Sequence, residues 1–227
     1  YSGNFLSEAE LTSYMPASFV PYDMLRIQLG INPENLSFSL QSGECFYAPE
    51  AVMTCSARGI DGMSQNMHAF IRGHIMPPAA ERPVVLNTWE ACFYDINEEK
   101  LAAFAKECRD IGIDTLVVDD GWFGDRDDET SSLGDWTANA KKFKNGLKSF
   151  ADKVCRYVRF GIWVEPEMLS ENSDLYRRHP EWVLGRAERP HSAGRHQLVL
   201  DLSNPAVIAY VKDAFSKAFE GIDVSYI

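Results

Sequence analysis

From Val84 to Ala218 short apolar runs alternate with longer amphipathic stretches, and this alternation limits the available folds more than any other feature of the chain. Val84–Leu86, Thr115–Val118 and Phe160–Val164 have the length and apolar character of buried strands. Between the first two, Leu101, Phe104, Ala105, Cys108 and Ile111 fall at helical spacing, with Asn97 as a cap and Gly112 as a stop. Leu147, Phe150, Ala151 and Val154 mark a second helix. After a brief extended run, Leu198–Leu202, a third begins at Asn204 and Pro205, carries Val207, Ile208, Val211, Phe215 and Phe219 on one face, and closes at Gly221. Strands alternating with helices predict an α/β fold, a parallel sheet with helices outside it. Periodicity alone leaves open whether that sheet closes into a barrel.

The first 80 residues read differently. Met24–Leu29 and Leu36–Leu40 alternate apolar and polar residues, with Gly30–Pro33 and Gln41–Gly43 as breaks, which predicts part of an antiparallel sheet. From Asp61 the period becomes helical through Met63, Met67, Phe70, Ile71 and Ile75, and Pro77, Pro78 and Pro83 mark a junction. Two domains are therefore expected, 1–80 and 81–227. The α/β part has about 145 residues, whereas a closed eight-unit barrel usually takes ~250. The sheet is then either open or part of something larger. The start at Tyr1 without Met, and Asp223–Ile227 reading as a strand in progress, favour a piece of a larger protein.

The formal charge of −11 and the absence of a basic stripe argue against nucleic acid as a partner. No apolar run approaches the ~18–20 residues of a membrane span, and no positively charged start precedes an apolar signal core. Five scattered cysteines, odd in number and without a CxxC pair, suit a reducing compartment, so a cytoplasmic location is expected. They offer no zinc site, and the histidines show no HExxH spacing. His191 and His196 lie in a Gly/Pro-rich loop as a solvated pair.

In parallel α/β architectures chemistry sits at the carboxyl ends of the strands. Here the three strand ends read Asn87-Thr-Trp89-Glu90, Asp119-Asp120-Gly121-Trp122 and Trp163-Val-Glu165-Pro-Glu167, each bringing carboxylates together with tryptophan. A sugar presents a C–H face to an aromatic plane and donates its hydroxyls to ionised carboxylates. Asp119-Asp120-Gly121 is also an ordinary turn sequence, in which the acids would cap backbone N–H groups. Trp89 and Trp163 could equally be core filler. Strand alternation puts Trp163 and Glu165 on one side, an environment a purely apolar core would not provide. Trp182 is assigned to the core, and Trp122 and Trp136 flank the acidic loop Asp125–Ser132 with no role fixed. Arg195 precedes the Leu198–Leu202 run and gains weight as a ligand contact beside an acidic site.

Taken in order, Tyr1-Ser-Gly-Asn-Phe5, Gln28–Pro33, Pro49–Ala51, Gly62–Ser64, Leu86–Ala91, Val118–Phe123, Leu133–Trp136, Gly161–Met168, Asp174–Tyr176, His179–Val183 and Gln197–Leu202 resemble the bacterial α-galactosidases of glycoside hydrolase family 36 over essentially the whole chain. The resemblance implies the end of an N-terminal β-supersandwich followed by the first part of a (β/α)₈ TIM barrel. It implies galactose-containing oligosaccharides such as melibiose and raffinose as substrates, no cofactor or metal, and a homo-oligomeric parent. Residue by residue, it implies that Asp119 and Asp120 hold galactose hydroxyls, that Trp89 and Trp163 line the pocket and that Arg195 completes the grip. The family hydrolyses with retention, using two carboxylates. Its nucleophile belongs to a Lys-Trp-Asp motif following Tyr-Ile, and this sequence ends at Tyr226-Ile227, so neither catalytic carboxylate is expected here. Lys144 in place of a proline, Cys155–Val158 in place of a more typical helix end, and His196 in place of an asparagine depart from the pattern.

Two other readings use the same residues. Asp119, Glu165 and Asp201 could be oxygen ligands of a divalent metal such as Mg²⁺, or the chain could be a non-catalytic carbohydrate-binding protein.

Overall fold

The computed structural model describes residues 5–14, 22–34, 36–77, 82–185 and 194–227. Tyr1–Asn4, Pro78 and His191 of the preceding section lie outside them. The chain divides into two compact units, Tyr1–Ala80 and Glu81–Ile227.

In the first unit β1 (Phe5–Tyr14) and β2 (Tyr22–Ile31) form an antiparallel pair, in register from Phe5 opposite Ile31 to Tyr14 opposite Tyr22. Leu36–Leu40, expected to be a strand, is not one. Leu36, Phe38 and Leu40 are exposed, and Phe38 packs on Phe46 at 4.8 Å instead. Among the described residues no strand pairs with this segment, and alternation alone does not make a strand. The expected helix is α1 (Gly59–Phe70), whose last turns widen to π geometry over Ile71–Ile75.

The second unit holds a parallel sheet in chain order, β3 (Val85–Asn87), β4 (Thr115–Val118) and β5 (Arg159–Ile162). Tyr226 continues the order by pairing parallel to Gly161. After β3 comes one helical turn, α2 (Trp89–Cys92), and then α3 (Glu98–Ile111). The Asn97 side chain accepts from the Lys100 N–H, and Gly112, at φ 85°, ends α3 by donating to the Arg109 and Cys108 carbonyls. Between β4 and β5 lies α4 (Gly146–Val154), which buries Leu147, Phe150, Ala151 and Val154. These side chains share one core with Leu101, Ala105 and Cys108 of α3 and Leu116, Val118, Phe160 and Ile162 of the strands. All four β4 residues are buried, which fits the central strand of a sheet covered on both faces. Trp122 and Trp136 also belong to this core.

Strand β5 ends at Ile162, so Trp163 and Glu165 lie beyond it and strand alternation does not explain their common side. The chain then makes an excursion that the hydrophobic pattern does not predict, because its strands are only three residues long. Strand β6 (Met168–Ser170) pairs antiparallel with β7 (Gln197–Val199), bracketing α5 (Asp174–Arg178) and a 3₁₀ turn, Pro180–Trp182. The earlier Leu198–Leu202 run is thus a shorter strand shifted one residue back. Leu169, Leu175, Val183, Leu198, Leu200 and Val207 form a second core here, and Trp182 is half-buried against it, stacked on His179. Helix α6 (Pro205–Ala218) follows, with Asn204 capping the Ala206 N–H. Among the described residues no helix is long and apolar enough to cross a membrane.

Candidate sugar-binding site

A cleft of about 400 Å³ opens at the carboxyl ends of β3, β4 and β5, lined by Asn87, Trp89, Glu90, Asp119, Asp120, Trp163, Glu165 and Arg195. Its volume lies within the ~300–1,000 Å³ of small-molecule sites. All five residues singled out from the sequence, Trp89, Asp119, Asp120, Trp163 and Arg195, meet in it.

Each is fixed by a local cause. Asn87 ends β3 and faces two ways. Its Oδ1 accepts from the Trp89 N–H at 2.7 Å and its Nδ2 donates to Asp119 Oδ2 at 2.5 Å. Buried Thr88 accepts the Asp119 N–H on its hydroxyl at 3.0 Å. Asp119 Oδ1 in turn accepts the Asp120 N–H at 2.7 Å, the turn-capping role that the sequence also allowed. Gly121 then reverses the chain at φ 103°, a conformation that favours glycine, and a Cβ there would press on Tyr94 at 3.3 Å.

Asp120 is held by a different kind of partner. Arg126, fully buried, sends Nε to Oδ1 and Oδ2 at 3.0 and 3.1 Å and Nη2 to Oδ2 at 2.8 Å. Its Nη1 donates to the Ser131 carbonyl, and its guanidinium lies 5.5 Å from the centre of the Tyr94 ring. Arg126 and Tyr94 are absent from the sequence-derived set. The available signal was one arginine inside the acidic run Asp125–Glu129, which reads as a solvated loop but surrounds a buried cation. Lys142 Nζ fixes the backbone here, donating to the Tyr94, Gly121 and Arg126 carbonyls at 2.9, 3.0 and 3.0 Å and pairing with Asp127.

The aromatic walls are also buttressed. Trp89 is met edge-on by Phe93 and Tyr94 at 5.2 and 5.1 Å. The Trp163 ring lies nearly parallel to Phe123 at 6.4 Å and touches Trp136, while its backbone donates to the Val118 carbonyl and accepts from the Trp122 indole N–H. The β6–β7 excursion brings in the remaining residues. Gln197 donates to Glu165 at 3.1 Å, and exposed Arg195 sits in the turn before β7. Arg195 and His196 both take left-handed backbone, at φ 54° and 58°. For residues other than glycine this costs roughly 1–2 kcal/mol each. His196 Nε2 reaches only to 3.8 Å from Glu129, with both side chains exposed.

Burial pushes the Glu165 carboxyl above its ordinary value of 4.5, opposed by Arg195 and reinforced by Glu167 and Asp120. The Tyr94 phenol rises to about 12, first through burial and then through the Asp120 charge, so it stays protonated at neutral pH. Asp201, the third member of the alternative metal set, binds Ser203 and does not line the cleft. Among the described residues no three His, Cys, Asp or Glu side chains are grouped to hold a metal ion. Chemically the cleft offers carboxylate acceptors, an exposed guanidinium and two indole faces, a set that complements a neutral polyhydroxylated ring.

The sequence model of the Melibiase family matches residues 45–227. Alpha-galactosidase AgaA of Geobacillus stearothermophilus is 44% identical over 100% of this chain and 31% of its own length. Alpha-galactosidase 1 of Pediococcus pentosaceus is 39% identical over 100% of this chain and 30% of its own. Among solved structures, the GH36 α-galactosidase AgaB of G. stearothermophilus superposes with a TM-score of 0.89 at 45% identity, over 100% of this chain and 31% of that one. An AgaA variant in complex with raffinose superposes at 0.90 with 44% identity and the same coverage. The chain thus spans about a third of the length of the relatives it matches.

Proposed function

The chain belongs to the Melibiase family, and on that footing we propose that it works within a longer α-galactosidase that hydrolyses terminal α-D-galactosyl residues of melibiose- and raffinose-type oligosaccharides with retention. The observation that carries this reading is the cleft itself, where Trp89, Trp163, Asp119, Asp120 and Arg195 converge at three adjacent strand ends. In it Asp119 and Asp120 accept galactose hydroxyls, the two indoles flank the ring and Arg195 donates to it. Asp120 is locked against Arg126, and Asp119 is occupied by Asn87 and a backbone N–H. Both are thus built as fixed acceptors, and the nucleophile and the acid/base belong to other parts of the enzyme.

The proposal extends to the fold. Parallel strands whose spatial order equals their chain order, with Tyr226 next in line, suit the opening units of a (β/α)₈ barrel better than a doubly wound sheet, where the order reverses. The β1–β2 pair then belongs to the preceding β-sandwich. A homo-oligomeric, cytoplasmic enzyme completes the reading, and five free cysteines support that compartment.

The test is hydrolysis of p-nitrophenyl α-D-galactopyranoside and raffinose by the full-length protein, with the product followed by proton NMR. The expected outcome is galactose released first as the α-anomer. No galactose release would sink the activity, and initial β-anomer would sink the retaining mechanism.

A further inference from the structure

We infer that Arg126 is a positioning residue for sugar recognition, acting through Asp120 and never touching the ligand. The inference rests on the proposed function and adds a residue to it. Arg126 is fully buried and absent from the cleft lining, whereas Asp120 is part of that lining. An ionised carboxylate has about four acceptor sites on its two oxygens. The Arg126 fork meets Oδ1 through Nε and Oδ2 through both Nε and Nη2, which fixes the plane of the carboxylate and, on that count, leaves about one acceptor site, on Oδ1, turned away from the arginine. Asp120 is then set to receive a sugar hydroxyl, with its orientation settled before the sugar arrives.

The arginine is itself tightly held. Its Nη1 is bound by the Ser131 carbonyl, its own carbonyl by Lys142 and its planar face by Tyr94. A loop kept only for solubility would not bury a guanidinium beneath the carboxylate of a binding cleft. The arrangement also offsets charge. Asp119, Asp120 and Glu165 share the cleft, and Arg126 supplies a cation from beneath without occupying ligand space.

The test uses the full-length enzyme carrying Arg126→Met, Arg126→Lys, Asp120→Asn and the Asp120→Asn/Arg126→Met pair. The readouts are kcat and KM for p-nitrophenyl α-D-galactopyranoside, the inhibition constant for free galactose, and the unfolding temperature. Arg126→Met should raise KM and the galactose inhibition constant by about tenfold or more, and Arg126→Lys, which keeps the charge but loses the planar fork, by an intermediate factor. Added to Asp120→Asn, the methionine should change either constant by less than about twofold, because the group through which it acts is already altered. The inference is overturned if the two substitutions multiply as independent effects, or if Arg126→Met lowers the unfolding temperature while the folded enzyme keeps its KM and inhibition constant. Should the methionine variant not fold, the lysine variant decides alone: raised constants support the inference and unchanged ones overturn it. An inactive wild type would instead strike the proposed function, a result distinct from an active wild type with uncoupled variants.

Discussion

Replacing Asp119 with asparagine tests the cleft at the point where sequence pattern and geometry meet most closely. The carboxylate serves two protein donors, the Asp120 N–H at 2.7 Å and Asn87 Nδ2 at 2.5 Å. An asparagine can keep its oxygen toward the buried Asp120 N–H, but its amide group then faces the Asn87 amide group, donor against donor. Asn87 cannot simply flip, because its Oδ1 is held by the Trp89 N–H at 2.7 Å. One hydrogen bond to a charged acceptor is therefore lost, worth about 1.5–3 kcal/mol. Since Asn87 is exposed and water can take its place, the stability cost should fall near the lower end, about 1.5 kcal/mol. On the ligand side the proposed bond of the same kind, from a sugar hydroxyl to the carboxylate, would be weakened in a more enclosed setting. The full range then applies, a loss of about ten- to 150-fold in kcat/KM at 1.4 kcal/mol per decade. Adding Asn87→Asp reverses the polarity of the pair and restores an acceptor opposite the new amide. Urea unfolding should show most of the stability recovered, while kcat/KM stays low because the charge now lies on the wrong residue. The reasoning is refuted if Asp119→Asn keeps kcat/KM within about twofold of wild type, or if the double variant is no more stable than the single one.

Two further outcomes follow from the packing and the charges. A methyl group at Gly161 would stand 2.8 Å from Val117 Cγ2 and 3.1 Å from the Tyr226 carbonyl, so Gly161→Ala should cost about 1–3 kcal/mol by overpacking β5 between its neighbours, and an unchanged urea midpoint would count against this sheet order. Because burial raises the Glu165 carboxyl above 4.5, the folded state favours its protonated form, and wild-type stability is lost as pH rises through that window and stays lower above it. Glu165→Gln, which keeps an acceptor for Gln197, should therefore gain in unfolding temperature over wild type toward neutral pH and lose that advantage below about pH 4.5. A difference independent of pH would contradict the assignment.

The parallel core was legible in the sequence because its signals are local. Asn97 and Gly112 bound α3, the apolar stripe of α4 matches its buried face and that of α3 does so through Leu101, Ala105 and Cys108 while Ile111 at its end is exposed, and β4 from Leu116 onward is an uninterrupted apolar run. Trp89, Asp119, Asp120 and Trp163 are legible because they follow such strands closely, and Arg195 because a cation stands beside an acidic site. Other parts depend on contacts distant in sequence. The Leu36–Leu40 segment alternates like a strand but has no partner strand among the described residues, and β6 and β7 are too short to show a period and exist through each other. Trp163 and Glu165 share the cleft through loop geometry after β5, which strand alternation does not encode. Arg126 was hidden by its surroundings: four acids in five residues look solvated unless one asks where the single cation among them points.

Lys142 spends its ammonium protons on the carbonyls of Tyr94, Gly121 and Arg126, which come from two separate strand-to-helix connections. Carbonyls are present whatever side chain a position carries, so, apart from the pair with Asp127, this clasp is indifferent to the identity of the residues it secures. The floor of the cleft is thereby tied together without help from Glu90 on its rim. Exposed Glu90 is the rim position to exchange in a search for new oligosaccharide preferences while the frame beneath it persists, whereas a library that varies Lys142 would lose the frame on which every other choice depends.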